Sequence, residues 1–386
     1  MRIERFKIDI PQLDVDALRR RLADTRWAPE LDNADWAYGV NGTYLRELTA
    51  YRERDFDWRA QERQINAFPH FRTEIDSTPI HFIHVQGKGP NPTPIILNHG
   101  WPWTFWDFKD VILPLADPVA HGGDPADAFH VVVPSLPGFC FSGPLARSEI
   151  GYVQTADMWV KLMQGLGYER FVTQGGDAGA FISAQLGHAY PESIIGVHST
   201  FPILPGVAND AGLPANPSPR ERALAAEDFA RARTAQVHLM VHNFDPQTLA
   251  WALHDSPVGL AAWLLIRRRD WSDCDGEVER QFDRDTLLTH FSLYWFTNSF
   301  VGSELFCRAS GFPEPPKLVN DIKPEIGVPT AIAIMPKDLM HRPRSVVAAH
   351  TDLRRWTELA TGGHFAPAEQ PQALVADIRA FVRSLR

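Results

Sequence analysis

Apolar and polar positions divide the chain into three kinds of stretch. From Pro79 onward, short β-rich runs, each closed by glycine or proline, alternate with helix-period segments: Ile80 to Val85, Ile95 to Leu97, His130 to Val133, Phe171 to Thr173, Gly196 to His198 and Thr330 to Met335. Continuous apolar strands separated by helices predict a mostly parallel sheet covered on both faces. In such α/β sheets the ligand sits beyond the carboxyl ends of the strands. Residues 1–90 read instead as a helical N-terminal arm, in which Asp14 caps a helix with Val15, Leu18 and Leu22 on one face. Trp27, Trp36 and Trp58 lie there among charged residues, as suits an arm that buries aromatic anchors on another domain. Between Phe201 and Phe312 the alternation stops again, and patterns such as Leu287, Leu288, Phe291 and Tyr294 predict an inserted helical lid over 205–312. Pro202, Pro205, Pro214, Pro217 and Pro219 mark its hinge, and Pro313, Pro315 and Pro316 its return. The sheet core is left with 91–204 and 313–386.

Composition narrows the class. A chain of 386 residues with 44% hydrophobic and 22% charged positions suits one large α/β domain with helical additions. The net charge of -9 has no tail, and the basic clusters Arg19 to Arg21 and Arg267 to Arg269 fall inside helical patterns, so nucleic acid is not an expected partner. Cys140, Cys274 and Cys307 are odd in number and far apart. They suggest neither a disulfide framework nor a metal site, and point to a cytoplasmic protein. No early apolar stretch is long enough for a signal peptide or membrane span, and no membrane partner or cofactor is called for. A homodimer stays open.

The chemistry is concentrated in four places. Gln174-Gly175-Gly176-Asp177-Ala178-Gly179-Ala180 follows a strand and precedes a helical run. Small residues flanking a central side chain at that point form the nucleophile elbow of the α/β-hydrolase fold. Here the central residue is aspartate. A carboxylate is a poor attacker of amides but a good one at saturated carbon, where it forms an alkyl ester, so epoxides and alkyl halides become the expected electrophiles. The bland alternative is a glycine-rich turn with a capping Asp. His99-Gly100-Trp101-Pro102, after another strand, fits the loop that gives half of an oxyanion hole, with the N–H groups of Trp101 and Ala178 as donors and Trp101-Pro102 as a candidate cis bond. Gly362-Gly363-His364-Phe365 precedes the last helix and offers His364 as the base that activates water. Asp338, after the strand Thr330 to Met335, is the candidate acid that orients His364, with a helix-capping role as its alternative.

Together these residues resemble the epoxide hydrolases of the microsomal and juvenile-hormone type. The resemblance spans essentially the whole chain, through Trp36-Ala37-Tyr38-Gly39, Phe56-Asp57-Trp58-Arg59, the His99 loop, Pro134-Ser135-Leu136-Pro137-Gly138-Phe139, the elbow, Asp255-Ser256-Pro257-Val258-Gly259-Leu260, Tyr294-Trp295 and the His364 loop. It implies a small-molecule epoxide and water as substrates and a vicinal diol as product. Asp177 would form the ester and His364, with its acid, would deliver the water. Two departures stand out. Family members donate a proton from lid tyrosines, whereas the matching positions here are Trp263 and Cys307, with Tyr294 the nearest tyrosine to substitute. Ala178 stands where tryptophan is common, and Trp103 where glycine is common. Trp103, Trp263 and Cys307 are therefore expected on a rearranged pocket wall. The membrane anchor of the microsomal members is not expected here. By analogy, such changes suit bacterial enzymes of specialised metabolism, of the enediyne type, acting on a bulky aromatic epoxide. The competing expectations are a haloalkane dehalogenase and a non-catalytic binder on the same fold.

Overall fold

The sheet has nine strands: β1 (Glu4–Phe6), β2 (His70–Ile75), β3 (Thr78–Val85), β4 (Thr93–Asn98), β5 (Phe129–Pro134), β6 (Phe171–Gly175), β7 (Ile194–Ser199), β8 (Ile326–Ile334) and β9 (Thr351–Glu358). They lie in the order β1-β2-β3-β5-β4-β6-β7-β8-β9, antiparallel from β1 to β5 and parallel from β5 to β9. This is the expected α/β-hydrolase fold, seen in a computed structural model that describes residues 1–207, 213, 214 and 216–386, the side chains of 229–234 excepted. The part of the expected lid at 208–212 and 215 lies outside the described residues. Ile95, Ile96 and Leu97 of β4 are fully buried, as a central parallel strand requires.

The helices fall into four groups along the chain. The first is α1 (Gln12–Ala23), α2 (Gly42–Arg54) and α3 (Trp58–Ile65). Next, α4 (Lys109–Ala116), α5 (Tyr152–Gly165) and α6 (Ala178–Ala189) connect the strands. Then α7 (Pro219–Ala235), α8 (Val237–Phe244), α9 (Pro246–Asp255), α10 (Pro257–Trp271), α11 (Arg284–Phe296) and α12 (Phe300–Ser310) form the insertion between β7 and β8. After it come α13 (Arg344–His350), α14 (Ala366–Glu369) and α15 (Pro371–Arg383). On the sheet α5 packs with α6, and α4 with α15.

The N-terminal helices clasp the insertion. Arg21 reaches the Asp255 carboxylate at 2.7 Å, Tyr51 donates to Asp285 at 2.9 Å, and Trp58 packs on Phe296 with ring centroids 4.9 Å apart. Trp27 joins Leu18, Leu22 and Val258 in a small apolar cluster, and the Arg269 guanidinium lies 4.4 Å over Trp36.

Three features differ from the sequence reading. Residues 1–90 are not all helical: besides β3, which the run Ile80 to Val85 anticipates, β1 and β2 lie there. The β2–β3 turn is Asp76-Ser77, both at positive φ (49° and 61°), a primed two-residue turn made without the Asn-Gly signal that would announce it. Strand β9 also escapes the apolar pattern: its sequence Thr-Asp-Leu-Arg-Arg-Trp-Thr-Glu is too charged to read as core, as befits an edge strand. Asp14 does not cap α1, which starts at Gln12 and holds Asp14 in its first turn; Val15, Leu18 and Leu22 do face inward.

Candidate active site

At the end of β6 the chain turns into α6 through Asp177, held at φ 51°. This left-handed conformation of a non-glycine residue costs on the order of 1–3 kcal/mol and persists only where its surroundings enforce it. Here the enforcement is close packing. A Cβ on Gly179 would fall 2.1 Å from the Asn98 carbonyl oxygen of β4, and one on Gly100 would fall 2.3 Å from Asp177 Oδ1. The Asp177 side chain makes no capping bond to α6; it is 25% exposed and lines a cavity.

Three partners fix that carboxylate. Oδ1 accepts from the Trp101 N–H at 2.8 Å, Oδ2 lies 3.2 Å from His364 Nε2, and the nearby Ala178 N–H dipole adds to the field that favours the anion. Burial works to raise the Asp177 carboxyl, but the His364 bond and charge and the two backbone N–H groups outweigh it and hold it below its usual value of 3.8. The far nitrogen of His364, Nδ1, lies 2.7 Å from Asp338 Oδ1. Burial alone would lower His364, yet Asp338 and Asp177 together raise it to about 10. The His364 ring, set between Asp338 and Asp177, therefore favours its protonated imidazolium form at neutral pH.

The supporting loops are tied to one another. His99 is buried, accepts from the Leu136 N–H at 3.0 Å through Nε2, and so turns its Nδ1–H to the Gly100 carbonyl at 2.9 Å. Burial keeps it neutral, at about 4. Its part is to hold the 99–102 loop, whose Trp101-Pro102 bond is cis. The His364 N–H donates to the Trp271 carbonyl at the end of α10 at 2.8 Å. Glu369 accepts from the N–H groups of Gly363, Phe365 and Asp273.

The cavity beside Asp177 is lined by Trp101, Ala178, Phe181, Phe201, His238, Trp271, Cys307 and Phe312, among others. Of the residues singled out in the sequence, Asp177, His364, Asp338, Trp101, Ala178 and Cys307 come together here. His364 and Asp338 back Asp177 from outside the lining, and the three remaining residues do not reach it either. Tyr294 is fully buried and donates its hydroxyl to the Trp103 carbonyl at 3.0 Å, so its O–H is spent inside the protein. The Trp103 ring fills the space behind the site, packed on Phe108, His364 and Phe365. Trp263 sits one layer back, with the Arg267 guanidinium 3.9 Å over its ring and His242 beside it.

Sequence reasoning also missed several residues. Arg268 of α10 forms a buried two-pronged pair with Asp107 at 2.6 and 2.9 Å, stacks on Phe365, and so binds the insertion to the core beneath the site. In the sequence it reads only as the middle one of three helix arginines. His238, His242 and Glu304 are likewise unremarked helix positions, and nothing in their local sequence marks them. Among the described residues, no group of three or more His, Cys, Asp or Glu side chains is arranged to hold a metal ion.

Comparison with known proteins shows the family. Residues 3–108 match the family described as epoxide hydrolase N terminus, and residues 93–264 match the alpha/beta hydrolase fold. Epoxide hydrolase 1 of Oryctolagus cuniculus is 32% identical over 406 residues, covering 98% of this chain and 88% of that protein. Juvenile hormone epoxide hydrolase 2 of Ctenocephalides felis is 29% identical over 398 residues, covering 98% and 85%. Among solved structures, Aspergillus niger epoxide hydrolase superposes with a TM-score of 0.86 at 30% identity, over 100% of this chain and 97% of that one.

Proposed function

The chain belongs to the epoxide hydrolase family of the microsomal and juvenile-hormone type, and on that premise we propose that it converts an epoxide to a vicinal diol through a covalent ester on Asp177. The main support is the carboxylate itself, exposed to a cavity at a strained elbow with its far oxygen 3.2 Å from His364 Nε2. In the first step an Asp177 oxygen attacks an epoxide carbon. The other oxygen stays on the Trp101 and Ala178 N–H groups, which later hold the oxyanion formed when water attacks the ester.

The charges order the two steps. While Asp177 is an anion it helps to keep His364 protonated, and an imidazolium cannot accept a proton from water. Esterification removes that anion, so the His364 pKa falls just when a base is needed. Asp338 remains to hold the ring and to stabilise the imidazolium that forms again during hydrolysis.

The cavity lining favours an aromatic epoxide. Phe181, Phe201, Phe312, Trp101 and Trp271 supply flat apolar walls beside Asp177 against which a ring can pack. The test is one turnover in heavy-oxygen water, followed by mass spectrometry of the elbow peptide. Label in the Asp177 carboxylate after the ester is hydrolysed is the expected result. Label in the diol alone would mean direct attack by water and would overturn the covalent route. Halide release from chloroalkanes with no diol from styrene-type epoxides would replace it by dehalogenation.

A further inference from the structure

Breaking an epoxide C–O bond leaves an alkoxide, and a group that delivers a proton to it accelerates the opening. Asp177 is an anion, and His364 is committed to the second step. The other cavity-lining side chains with an N–H or S–H to offer are Trp101, Gln236, His238, Trp271 and Cys307; no tyrosine is among them. His238 alone leads to a buried acid. Its ring stacks on Trp101 at 4.7 Å and lies 5.1 Å from the ring of His242, four residues on along α8 and thus on the same helix face. His242 Nε2 in turn lies 3.2 Å from Glu304 Oε1, both side chains fully buried. Glu304 sits one turn before Cys307 on α12.

The charge state of this pair follows from its surroundings. Among the described residues no lysine or arginine pairs with Glu304, and a lone buried carboxylate is too costly to persist. Burial lifts its carboxyl to about 9, while burial and the nearby Arg267 charge hold His242 down at about 3. At neutral pH a protonated carboxylic acid thus faces a neutral imidazole. Although the two groups lie in contact, neither ring nitrogen of His242 and neither oxygen of Glu304 makes a well-formed hydrogen bond among the described residues, and buried polar groups left so ask for a functional explanation.

We propose that Glu304 is the proton store for ring opening and that His242 and His238 pass its proton to the epoxide oxygen, an inference that rests on the Asp177 reading above. As the Asp177 oxygen bonds to carbon, the electron pair of the broken C–O bond stays on the ring oxygen. His238 gives that oxygen its N–H proton, His242 replenishes His238, and Glu304 replenishes His242 and becomes a carboxylate. Once Asp177 is esterified His364 sheds its proton, which restores Glu304; hydrolysis of the ester then regenerates the Asp177 anion and releases one proton, which returns His364 to the imidazolium. His238 is the catalytic member; His242 and Glu304 act through it.

Stopped-flow fluorescence during a single turnover of styrene oxide separates alkylation of Asp177 from hydrolysis of the ester. Glu304→Gln is expected to slow alkylation about a hundredfold, the scale of general acid catalysis, while hydrolysis of the formed ester keeps its rate. The relay predicts a fall in alkylation of the unaltered protein above a pH of about 9, which Glu304→Gln should abolish, and Glu304→Asp should restore part of the rate. Unchanged alkylation in folded Glu304→Gln overturns the relay, as does equal slowing of both steps with the alkaline fall retained. Loss of alkylation in Cys307→Ala but not in Glu304→Gln hands the role to the thiol. Should Glu304→Gln not fold, infrared spectroscopy of the unaltered protein decides: a protonated-carboxyl band titrating at a pH of about 9 is expected, and its absence at neutral pH overturns the proposal. An ester detected by mass spectrometry in the unaltered protein confines such failures to the relay, whereas no ester at all sinks the Asp177 reading and the relay with it.

Discussion

Asp338 lies 2.7 Å from one nitrogen of His364 and is one of the two anions that raise it. Asp338→Asn keeps the shape but removes the charge. It should slow ester hydrolysis by about 10²–10⁴ while sparing alkylation, by analogy with loss of the acid in a Ser-His-Asp triad. The ester would then accumulate, and intact-protein mass spectrometry would show the added mass; a variant that turns over with no accumulation contradicts the assignment. Asp177, His364, Asp338 and Trp101 were legible because each occupies a local pattern: glycines about a turn, or a residue just past a strand. Trp103, Trp263 and Tyr294 were not, because alignment to a motif says nothing about which way a buried ring turns. Trp103 turns behind the histidine and Tyr294 toward a carbonyl. Glu304 and His242 gave no signal at all, since their meaning lies in a meeting of two helices that sequence spacing does not contain.

The insertion is held to the core by the Arg268–Asp107 pair between α10 and the segment before α4. Both side chains are buried, so Arg268→Met strands a carboxylate and should cost about 3–5 kcal/mol, read as a lowered denaturation midpoint in urea. A loss below about 1 kcal/mol would rank the pair with surface ion pairs. The pH dependence has a definite sign. Burial acts to raise the Asp107 carboxyl, and the Arg268 charge overcomes it and leaves it below the ordinary 3.8. The stabilisation from that ionised carboxyl is complete above pH 3.8 and is lost as pH falls through the lower folded value; Arg268→Met should flatten this acid limb. At this scale the strands β3 to β8 were visible as apolar runs. The edge strands β1 and β9, together with β2 and its turn into β3, were hidden, because an edge carries charge and an Asp-Ser turn carries no glycine.

Across the whole molecule, the N-terminal helices brace the insertion from outside while the sheet holds it from below. Trp58, 2% exposed and packed on Phe296 of α11, is the main apolar anchor of that brace. Trp58→Ala should destabilise the protein by about 3–5 kcal/mol, measured by urea unfolding. A loss confined to thermal stability, with catalytic parameters untouched, would show that the clasp does not influence the cavity. No single helix among the described residues is long and apolar enough to cross a membrane.

The bond from the His364 N–H to the Trp271 carbonyl joins the proposed base to the last turn of α10. A door that swung α10 outward to admit a guest would drag the base from its post with every opening. Traffic through this enzyme is therefore better served by rotation of single side chains at the rim, such as Leu339, Met340 and Phe312, so that the machinery stays assembled while the gate is ajar.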